Sequence, residues 1–418
     1  MNNFDSYPLY EMKKHNIYSV KIRVIMTEAI NGDILKTAAE KAFRRFPYYA
    51  KKVMLNSEDS YILEPCDKPI SVTQGDRVIR LGTAETNDLL FAITYEGSNI
   101  FFNFAHNFCG GCGALRWLKA TLWQYLTDSG FEIDRSGIMT VDVPMTAEES
   151  AEPDSDSLPT GEPVGNFDFP IDAFVPRMDY MEFMKNPQGV MGYYPITIPK
   201  KELMKYARDN DGSPNSILSA VLFRMSTRVF PNAEKFQARI ACNYRADVGC
   251  PETYRDIVRM LYIPYERRME DWPIEKLSTL TRSRMYIQMQ PEVSWATCRK
   301  VNAFHKGIDE QPDLESKVDY AVKNSPTLNG YGSTFTISYV GKEDWGVLAP
   351  FIKGVFSITY GHIMLEINVT NEDFCISFQT LRQDGKYVTA FLKVLDEEGI
   401  SYRKGPFEAR NLPTIVLP

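Results

Sequence analysis

Segments typical of strands and of helices follow one another in both halves of the 418-residue chain, and this alternation constrains the fold most. In the first half, a β-branched run at 17–30 predicts a strand, and apolar residues three and four apart predict an amphipathic helix over 31–47. In the second half, a strand predicted at 192–199 precedes helices at 200–209 and 213–230. Strands mixed with helices in each half predict an α/β (α+β) fold of two layered lobes.

The other predicted elements continue this pattern. Strands are predicted at 49–55, 60–65, 88–95, 99–106, 234–245, 333–340, 354–362, 363–370 and 373–380, and helices at 114–126, 274–288, 292–308 and 385–400. The segment 143–169 is acidic and rich in Pro, Ser and Gly, with few large apolar side chains, so we interpret it as a linker or crossover. The predicted organisation is an N-terminal lobe over 1–142, this linker, and a C-terminal lobe over 170–418.

Composition excludes several classes of function. A net charge of −7 without any cluster of Lys and Arg argues against a nucleic-acid partner. No stretch approaches the roughly 20 apolar residues of a membrane span, and the N-terminus has no apolar run of signal-peptide length. We therefore expect a cytoplasmic protein without a membrane partner. Seven Cys in a chain of this length do not indicate a disulfide framework, so reduced thiols are expected.

One stretch, NFAHNFCGGCGALRWL at 103–118, combines a His, two Cys and three Gly between apolar residues. Cys109 and Cys112 form a CxxC pair at a predicted helix start, where the helix dipole lowers a thiol pKa. The pair could therefore be a redox dithiol or part of a metal site. A zinc site would need two further ligands, and the other Cys are scattered, so buried reduced thiols are the simpler interpretation and no metal is expected. The glycines match neither of the common phosphate-binding patterns, which argues against a phosphate-cradling loop.

His106 in this stretch has two interpretations on residues alone. It ends a predicted buried strand just before a Gly-rich turn, where a side chain projects into a crevice between lobes. A neutral imidazole there has a suitable pKa for accepting a proton near pH 7, so His106 is a candidate general base. A structural His with its hydrogen bonds satisfied fits the same pattern.

The stretch AHNFCGGCGA resembles the HHxxxDG motif of the chloramphenicol-acetyltransferase-like acyltransferases. That superfamily includes condensation domains of nonribosomal peptide synthetases, plant BAHD acyltransferases and alcohol acetyltransferases. His106 stands at the position of the catalytic His, and Gly111 at that of the final Gly. Four further segments resemble family segments in the right order: GDILKTAAEKAFRRFPYYAKKV, GSPNSILSAVLFRMSTRVFP, ACNYRADVGCPETYRDIV and ISYVGKEDWG. The third of these is similar to the pattern N-x-R-x-x-L-G-x-P-x-x-Y-x-N.

The resemblance implies two lobes of mixed sheet with a central tunnel between them and the catalytic His midway. His106 would then deprotonate a hydroxyl or amine acceptor, which attacks the carbonyl of an acyl thioester. Hydrogen-bond donors must stabilise the resulting oxyanion. The resemblance makes Asn243, Ser338 and Tyr339 the candidate oxyanion or channel residues, and Arg245, Asp344, Trp345 and Gly346 structural residues of the motif segments.

The same resemblance implies the co-substrates. No cofactor is expected to be bound, and acyl-CoA is the expected donor, with an acyl carrier protein as the alternative. The acceptor is a small-molecule alcohol or amine, the chain is expected to be a monomer, and free-standing proteins of this type are associated with secondary metabolism.

Two departures from the motif bear on activity. Ala105 replaces its first His, and Gly110 replaces its Asp, which in the family forms an ion pair with an Arg and fixes the loop. If that Arg is the second one of the family's RHPxLRT segment, Ala50 takes its place here. Gly110 and Gly111 are expected to give the turn access to positive φ. Two hypotheses follow: an active acyltransferase with a relaxed loop, or a catalytically impaired relative that keeps the tunnel for binding or as a scaffold.

Overall fold

The computed structural model describes residues 4–14, 18–161, 191–325, 332–339 and 344–418. Two larger sheets with helices packed on them form two lobes, as the alternation of elements predicts. The helices are α1 (Tyr7–Met12), α2 (Gly32–Phe43), α3 (Gly111–Asp128), α4 (Lys200–Asp209), α5 (Pro214–Val229), α6 (Ile274–Gln288), α7 (Pro291–Asp309), α8 (Leu314–Asn324) and α9 (Lys386–Glu397).

The strands of the first half are β1 (Ser19–Met26), β2 (Lys51–Leu55), β3 (Tyr61–Pro65), β4 (Ser71–Gln74), β5 (Arg80–Leu81), β6 (Phe91–Glu96) and β7 (Asn99–Ala105). Those of the second half are β8 (Gly192–Pro199), β9 (Lys235–Asn243), β10 (Val258–Glu266), β11 (Phe335–Tyr339), β12 (Ile352–Ile358), β13 (Met364–Val369), β14 (Asp373–Thr380), β15 (Arg403–Lys404), β16 (Glu408–Ala409) and β17 (Thr414–Ile415).

The first sheet has the order β12-β1-β7-β6-β4, with α2 and α3 on the face that forms the first core. Antiparallel pairing of β1 with β7 sets Ser19 opposite Ala105, at the end of β7 that leads into the predicted motif. On that strand Phe102 and Phe104 contact the ring of Trp117 in α3. Alternate residues of β7 therefore fix the helix that follows the motif against the sheet.

The second sheet has the order β10-β9-β11-β13-β14-β8-β15, and α5 and α9 pack on its core face. The N-terminus of α5 is fixed by its own residues: Ser213 and Ser216 form a capping box, and Pro214 occupies the first turn. The predicted bounds of β8, α4, α6 and β14 coincide with those of the structure.

One strand of the second half belongs to the first sheet. β12 pairs antiparallel with β1, with Lys21 opposite Ile358. Trp345 and Leu348, just before β12, also belong to the first core. The expected division into 1–142 and 170–418 thus describes the two sheets only in part, because the chain returns to the first lobe after β11.

The acidic segment between the halves is packed where the structure describes it, although the sequence predicts no packed element there; residues 162–169 of this expected linker lie outside the described residues. Glu149 is buried and accepts hydrogen bonds from Arg45 at 2.7 and 3.1 Å and from Tyr48 Oη at 3.1 Å. The backbone oxygen of Glu149 accepts from Tyr254 N at 2.9 Å. The buried guanidinium of Arg45 thus compensates the charge of Glu149, a carboxylate in a segment whose composition predicts no packed element.

Candidate active site

His106 lies where β7 ends and the chain turns into α3. Ala105 is the last residue of β7, and His106–Phe108 form a single 3-10 turn before α3 begins at Gly111. Phe108 and Cys109 are buried and hold this turn against the first core, whereas the His106 side chain keeps about a third of its surface exposed. The turn therefore anchors the backbone and leaves the imidazole accessible.

A carboxylate from the second half of the chain orients this imidazole. Nδ1 of His106 lies 3.0 Å from Oδ2 of Asp256, which belongs to the loop between β9 and β10. When Nδ1 donates to the carboxylate, the neutral imidazole has its proton-accepting nitrogen at Nε2. The two residues form a His–Asp dyad, and its geometry is compatible with a proton-accepting Nε2.

The electrostatics of the dyad agree with its geometry. Burial would lower the pKa of His106, but the charge and hydrogen bond of Asp256, with a smaller contribution from Glu366, outweigh burial and raise this pKa above its usual value. Burial would raise the pKa of Asp256, but His106 and then Arg245 outweigh it and lower that pKa. Each partner stabilises the charged form of the other.

The glycines of the motif permit close approach and do not supply positive φ. Gly110 is the N-cap of α3 with φ −71°, and Gly111 is in the first helical turn, so the expectation of a left-handed turn is wrong. A Cβ atom on Gly110 would lie 2.6 Å from Oδ1 of Asp256. A Cβ atom on Gly113 would collide with the backbone oxygen of Tyr254. Both glycines thus make room for the loop that carries Asp256.

That loop is anchored to the first lobe at Tyr254, which contacts Gly113, and at the next residue, Arg255. The ring of Tyr254 stacks on Tyr48 with 4.2 Å between centroids, and its hydroxyl donates to Asp5. Arg255 donates from Nε and Nη2 to the buried carboxylate of Asp5, at 2.8 and 3.1 Å. The position of Asp256 is therefore determined by the residues that precede it in sequence.

Arg245 lies beside Gly110, as its assignment to a structural motif position suggests. Its guanidinium is buried and donates to the backbone oxygens of Thr253, at 3.1 Å, and of Arg255. A Cβ atom on Gly110 would lie 3.2 Å from its Nη2 atom. The cation next to the motif position is thus Arg245, so the inference that Ala50 stands in the place of a lost Arg partner is not supported.

A second carboxylate, Glu366 on β13, approaches His106 from the other sheet. Its Oε1 accepts from Thr359 Oγ1 at 2.8 Å, and it also accepts from Ser338. Burial raises its pKa to about 7, while these hydrogen bonds and the charge of His106 act in the opposite direction. A carboxyl group that titrates near neutrality beside an imidazole is typical of functional sites.

The structure separates the three candidate oxyanion or channel residues. Ser338 faces Glu366 across the β11–β13 pair. Tyr339 packs on the core face, with its ring centroid 6.1 Å from that of Phe374, so it is not brought to His106. Asn243 is near the motif helix, since its Nδ2 is 3.8 Å from the Sγ atom of Cys112, and its Oδ1 accepts from the backbone N–H of Arg245 at 3.0 Å.

The turn Asp344-Trp345-Gly346 joins the two lobes. Trp345 is buried and its Nε1 donates to the backbone oxygen of Val369 at 2.7 Å. Oδ1 of Asp344 accepts from Gly346 N at 2.9 Å, and Gly346 has φ +46°. Lys119 of α3 donates to the backbone oxygen of Asp344. These contacts support the structural assignment of the turn.

The cysteines of the motif lack the properties of a redox pair. Burial raises the pKa of Cys109 well above its usual value, whereas a redox thiol needs a lowered one. Cys112 is half-buried, and neither cysteine forms a disulfide with another described residue. Within the described part of the chain, no group of three or more His, Cys, Asp or Glu side chains could hold a metal ion.

Two residues of the site were missed at the level of sequence. Asp256 stands at the last position of the segment that resembles N-x-R-x-x-L-G-x-P-x-x-Y-x-N, where the pattern has Asn. An acidic residue at this position, together with the missing Asp at 110, was the sequence signal that could have identified Asp256 as a site residue. Glu366 in the strand IMLEINVT was a second signal, because it is an isolated charge among residues that pack in a core.

No protein-family model matches the chain, and no curated protein matches it by sequence. Among the described helices, none combines the length and apolar character needed to cross a bilayer.

Solved structures match the whole fold. TRI101 from F. sporotrichioides, complexed with coenzyme A and T-2, has a TM-score of 0.57 and 11% identity over 95% of this chain and 98% of that chain. The first condensation domain of the calcium-dependent antibiotic synthetase has a TM-score of 0.58 and 12% identity over 95% of each chain. Polyketide synthase associated protein 5 from M. tuberculosis has a TM-score of 0.57 and 12% identity over 90% and 93%. This likeness confirms the predicted chloramphenicol-acetyltransferase-like fold of two lobes.

Proposed function

We propose that this chain, which has the two-lobed acyltransferase fold, transfers an acyl group from a thioester, preferably acyl-CoA, to a hydroxyl or amine acceptor, with His106 as the general base. The observation that carries the proposal is the 3.0 Å contact between His106 Nδ1 and Asp256 Oδ2, because an imidazole held at Nδ1 by a carboxylate can accept a proton at Nε2. Structures of the same fold with coenzyme A bound support the choice of donor.

In the proposed reaction, Nε2 of His106 accepts the proton of the acceptor as its oxygen or nitrogen attacks the thioester carbonyl. The tetrahedral intermediate places negative charge on the carbonyl oxygen, and a hydrogen-bond donor there would contribute about 3 kcal/mol. Ser338 and Asn243 carry donors in this region, and Ser338 is the nearer to Glu366. Protonated His106 then returns its proton to the departing thiolate.

Asp256 bears on the main objection to activity and supports a working base. The family motif holds its loop with an Asp at the position of Gly110, and its loss favoured an impaired binding or scaffold protein. In this chain the carboxylate of Asp256 occupies the space beside Gly110 and contacts His106 directly. The orienting charge is supplied from the second half of the chain, so retention of a working base is the better-supported interpretation.

The test is release of free CoA from a panel of acyl-CoAs with a broad set of alcohols and amines. We expect His106→Ala to lower kcat/KM by at least 100-fold, since general-base catalysis contributes about 100- to 10,000-fold. Cys112→Ala, in the same helix start, is the matched control and should retain activity. An acyl-carrier-protein thioester tested in parallel distinguishes the two donor classes.

Equal CoA release by wild type and the His106→Ala variant with every donor would contradict the catalytic proposal. If acyl-CoA still bound to both proteins, the scaffold or binding hypothesis would replace it. Thermal midpoints of all variants separate a loss of chemistry from a loss of folding.

A further inference from the structure

We propose that Glu366 binds the ammonium group of a primary-amine acceptor, so that the site acylates amines in preference to alcohols. This inference rests on the proposed function and names its acceptor class.

Glu366 is placed on the face of the second sheet that is turned away from the second core. Its neighbours Leu365 and Ile367 are buried in that core, so the alternation of β13 directs Glu366 to the opposite side, towards His106. Register pairs set Ser338 on β11 and Ser377 on β14 directly beside it. A carboxyl group is thus flanked by two hydroxyl groups on one polar row.

This carboxyl group is 4% exposed, yet its partners in the described part of the chain are hydroxyls and not a Lys or Arg. When His106 is neutral, the buried carboxylate of Glu366 has no cationic partner among the described residues, which is unfavourable by several kcal/mol and accounts for its raised pKa. The neighbouring hydroxyl of Ser377 is fully buried and has no hydrogen-bond partner among the described residues. An ammonium group, with three N–H donors, satisfies both the charge of Glu366 and the free acceptor capacity of Ser377.

The charges around His106 favour the same ligand. Asp256 and Glu366 act on the imidazole with negative charge, and Arg245 acts with positive charge. Arg245 is already committed to two backbone oxygens. A general base must be neutral before it accepts a proton. With His106 neutral, the carboxylates of Asp256 and Glu366 outnumber the single guanidinium of Arg245, so the site around His106 has a net negative charge. An alcohol leaves that charge uncompensated, whereas an ammonium group neutralises it.

The reaction balances with Glu366 as the first proton acceptor. The bound ammonium group gives one proton to the Glu366 carboxylate and becomes a neutral amine. Its nitrogen lone pair attacks the thioester carbonyl, so that a C–N bond forms and the C–S bond breaks. His106 takes the second proton from nitrogen and delivers it to the thiolate. The products are an amide and a free thiol, and the proton on Glu366 returns to solvent.

Binding of matched probes tests this without requiring turnover. The probes are hexylamine and 1-hexanol, 2-phenylethylamine and 2-phenylethanol, and butylamine and 1-butanol, titrated by calorimetry into wild type and the His106→Ala variant. We expect amines to bind at least tenfold more tightly than their alcohol partners to both proteins. Glu366→Gln should abolish this preference, and Glu372→Gln, an exposed Glu in the turn after β13, should keep it.

A second measurement uses wild type alone, in case Glu366→Gln does not fold. Because burial raises the pKa of Glu366 to about 7, part of the Glu366 population is protonated at pH 7. Amine binding should therefore release a fraction of a proton, detected as a dependence of the binding enthalpy on the ionisation enthalpy of the buffer. The alcohols should release none.

Equal binding of amines and alcohols, amine preference that survives Glu366→Gln, or no amine binding in the panel would overturn the inference. His106-dependent turnover of alcohols with any of these results would leave the proposed acyltransferase function intact. If amines bind in a Glu366-dependent way but wild type releases no CoA, the acyltransferase function is contradicted. The ammonium site at Glu366 would then still be supported.

Discussion

Gly110 and Asp256 are so close that a Cβ atom on residue 110 would lie 2.6 Å from Oδ1 of Asp256. They come from the start of α3 and from the β9–β10 loop, which are more than a hundred residues apart in sequence. The absence of a side chain at 110 and the presence of a carboxylate at 256 are therefore two parts of one arrangement. A carboxylate from the other half of the chain thus occupies the space beside residue 110.

Replacement of Asp256 by Asn should change both the rate and its pH dependence. Asp256 raises the pKa of His106, and only the neutral imidazole acts as a base, so activity in the wild type falls as pH decreases through this raised pKa. In Asp256→Asn the pKa of His106 decreases and the acid limb should move to lower pH. The plateau of kcat/KM should fall about 100-fold or more, because the tautomer is no longer held.

The measurement is kcat/KM from about pH 5 to pH 9. Glu252→Gln, an exposed residue of the same loop, is the control and should reproduce the wild-type profile. An acid limb that stays in place or moves to higher pH in Asp256→Asn would show that Asp256 does not act on the catalytic base.

The effects on kcat/KM of adding a carboxylate at position 110 and removing the one at position 256 should be non-additive. Gly110→Asp alone sets two carboxylates in contact and is expected to lower kcat/KM about 100-fold. Gly110→Asp with Asp256→Asn removes the like-charge contact and should recover at least tenfold of that loss. A double-mutant cycle on kcat/KM, with thermal midpoints, checks it; strictly additive effects would indicate that the two positions do not share one role.

The buried pair of Arg45 and Glu149 should contribute strongly to stability. Both side chains are about 3% exposed, with Nη2 of Arg45 2.7 Å from Oε1 of Glu149. Arg45→Met leaves an unpaired buried carboxylate and should lower the free energy of unfolding by about 3–5 kcal/mol. Arg45→Met with Glu149→Leu should lower it less, since no charge remains unpaired.

Urea unfolding provides the measurement. The pKa of Glu149 is lowered, because the hydrogen bonds and charge of Arg45 with other donors outweigh the opposing effect of burial. Its contribution to stability is therefore present above its usual pKa of 4.5 and is lost as pH falls below it. A single variant no less stable than the double variant would rule out this account.

The two cysteines of the motif should be dispensable for catalysis. Cys109 is fully buried with a raised pKa, and Cys112 is half-buried. We expect iodoacetamide to modify Cys112 faster than Cys109 in the native protein at pH 8. Cys109→Ala with Cys112→Ala should keep kcat within about threefold of wild type. A loss of activity at an unchanged thermal midpoint would restore a role for the thiols.

Local pattern predicts most of the elements because they carry strong local signals. Ser213 with Pro214 marks the start of α5, and the alternation in β14 marks a strand. β10 is less evident, because Pro264 interrupts its pattern; Pro is tolerated since β10 is the edge strand of its sheet. The turn and helix at 314–324 follow a polar segment and were also not predicted.

The residues of the candidate site also divide into those that a local pattern predicts and those that it does not. His106 lies on a local motif and could be predicted. Asp256 departs from the family pattern at its last position, but the role of this carboxylate depends on the approach of the β9–β10 loop to Gly110 and Gly113, which no local pattern predicts. That approach depends on Arg255 and Asp5, which are 250 residues apart. Pairings over such distances follow from tertiary packing and not from periodicity.

The pairing of β12, a strand of the second half, with β1 of the first sheet has a consequence for synthesis of the chain. β1 has hydrogen-bonding partners on both sides only after residue 358 has been added. While the ribosome is still translating the second half, β1 is an edge strand with exposed N–H and C=O groups, which other strands can pair with. The nascent first lobe therefore has to remain soluble with an open sheet for most of translation. Its sheet and the candidate active site are completed at nearly the same time.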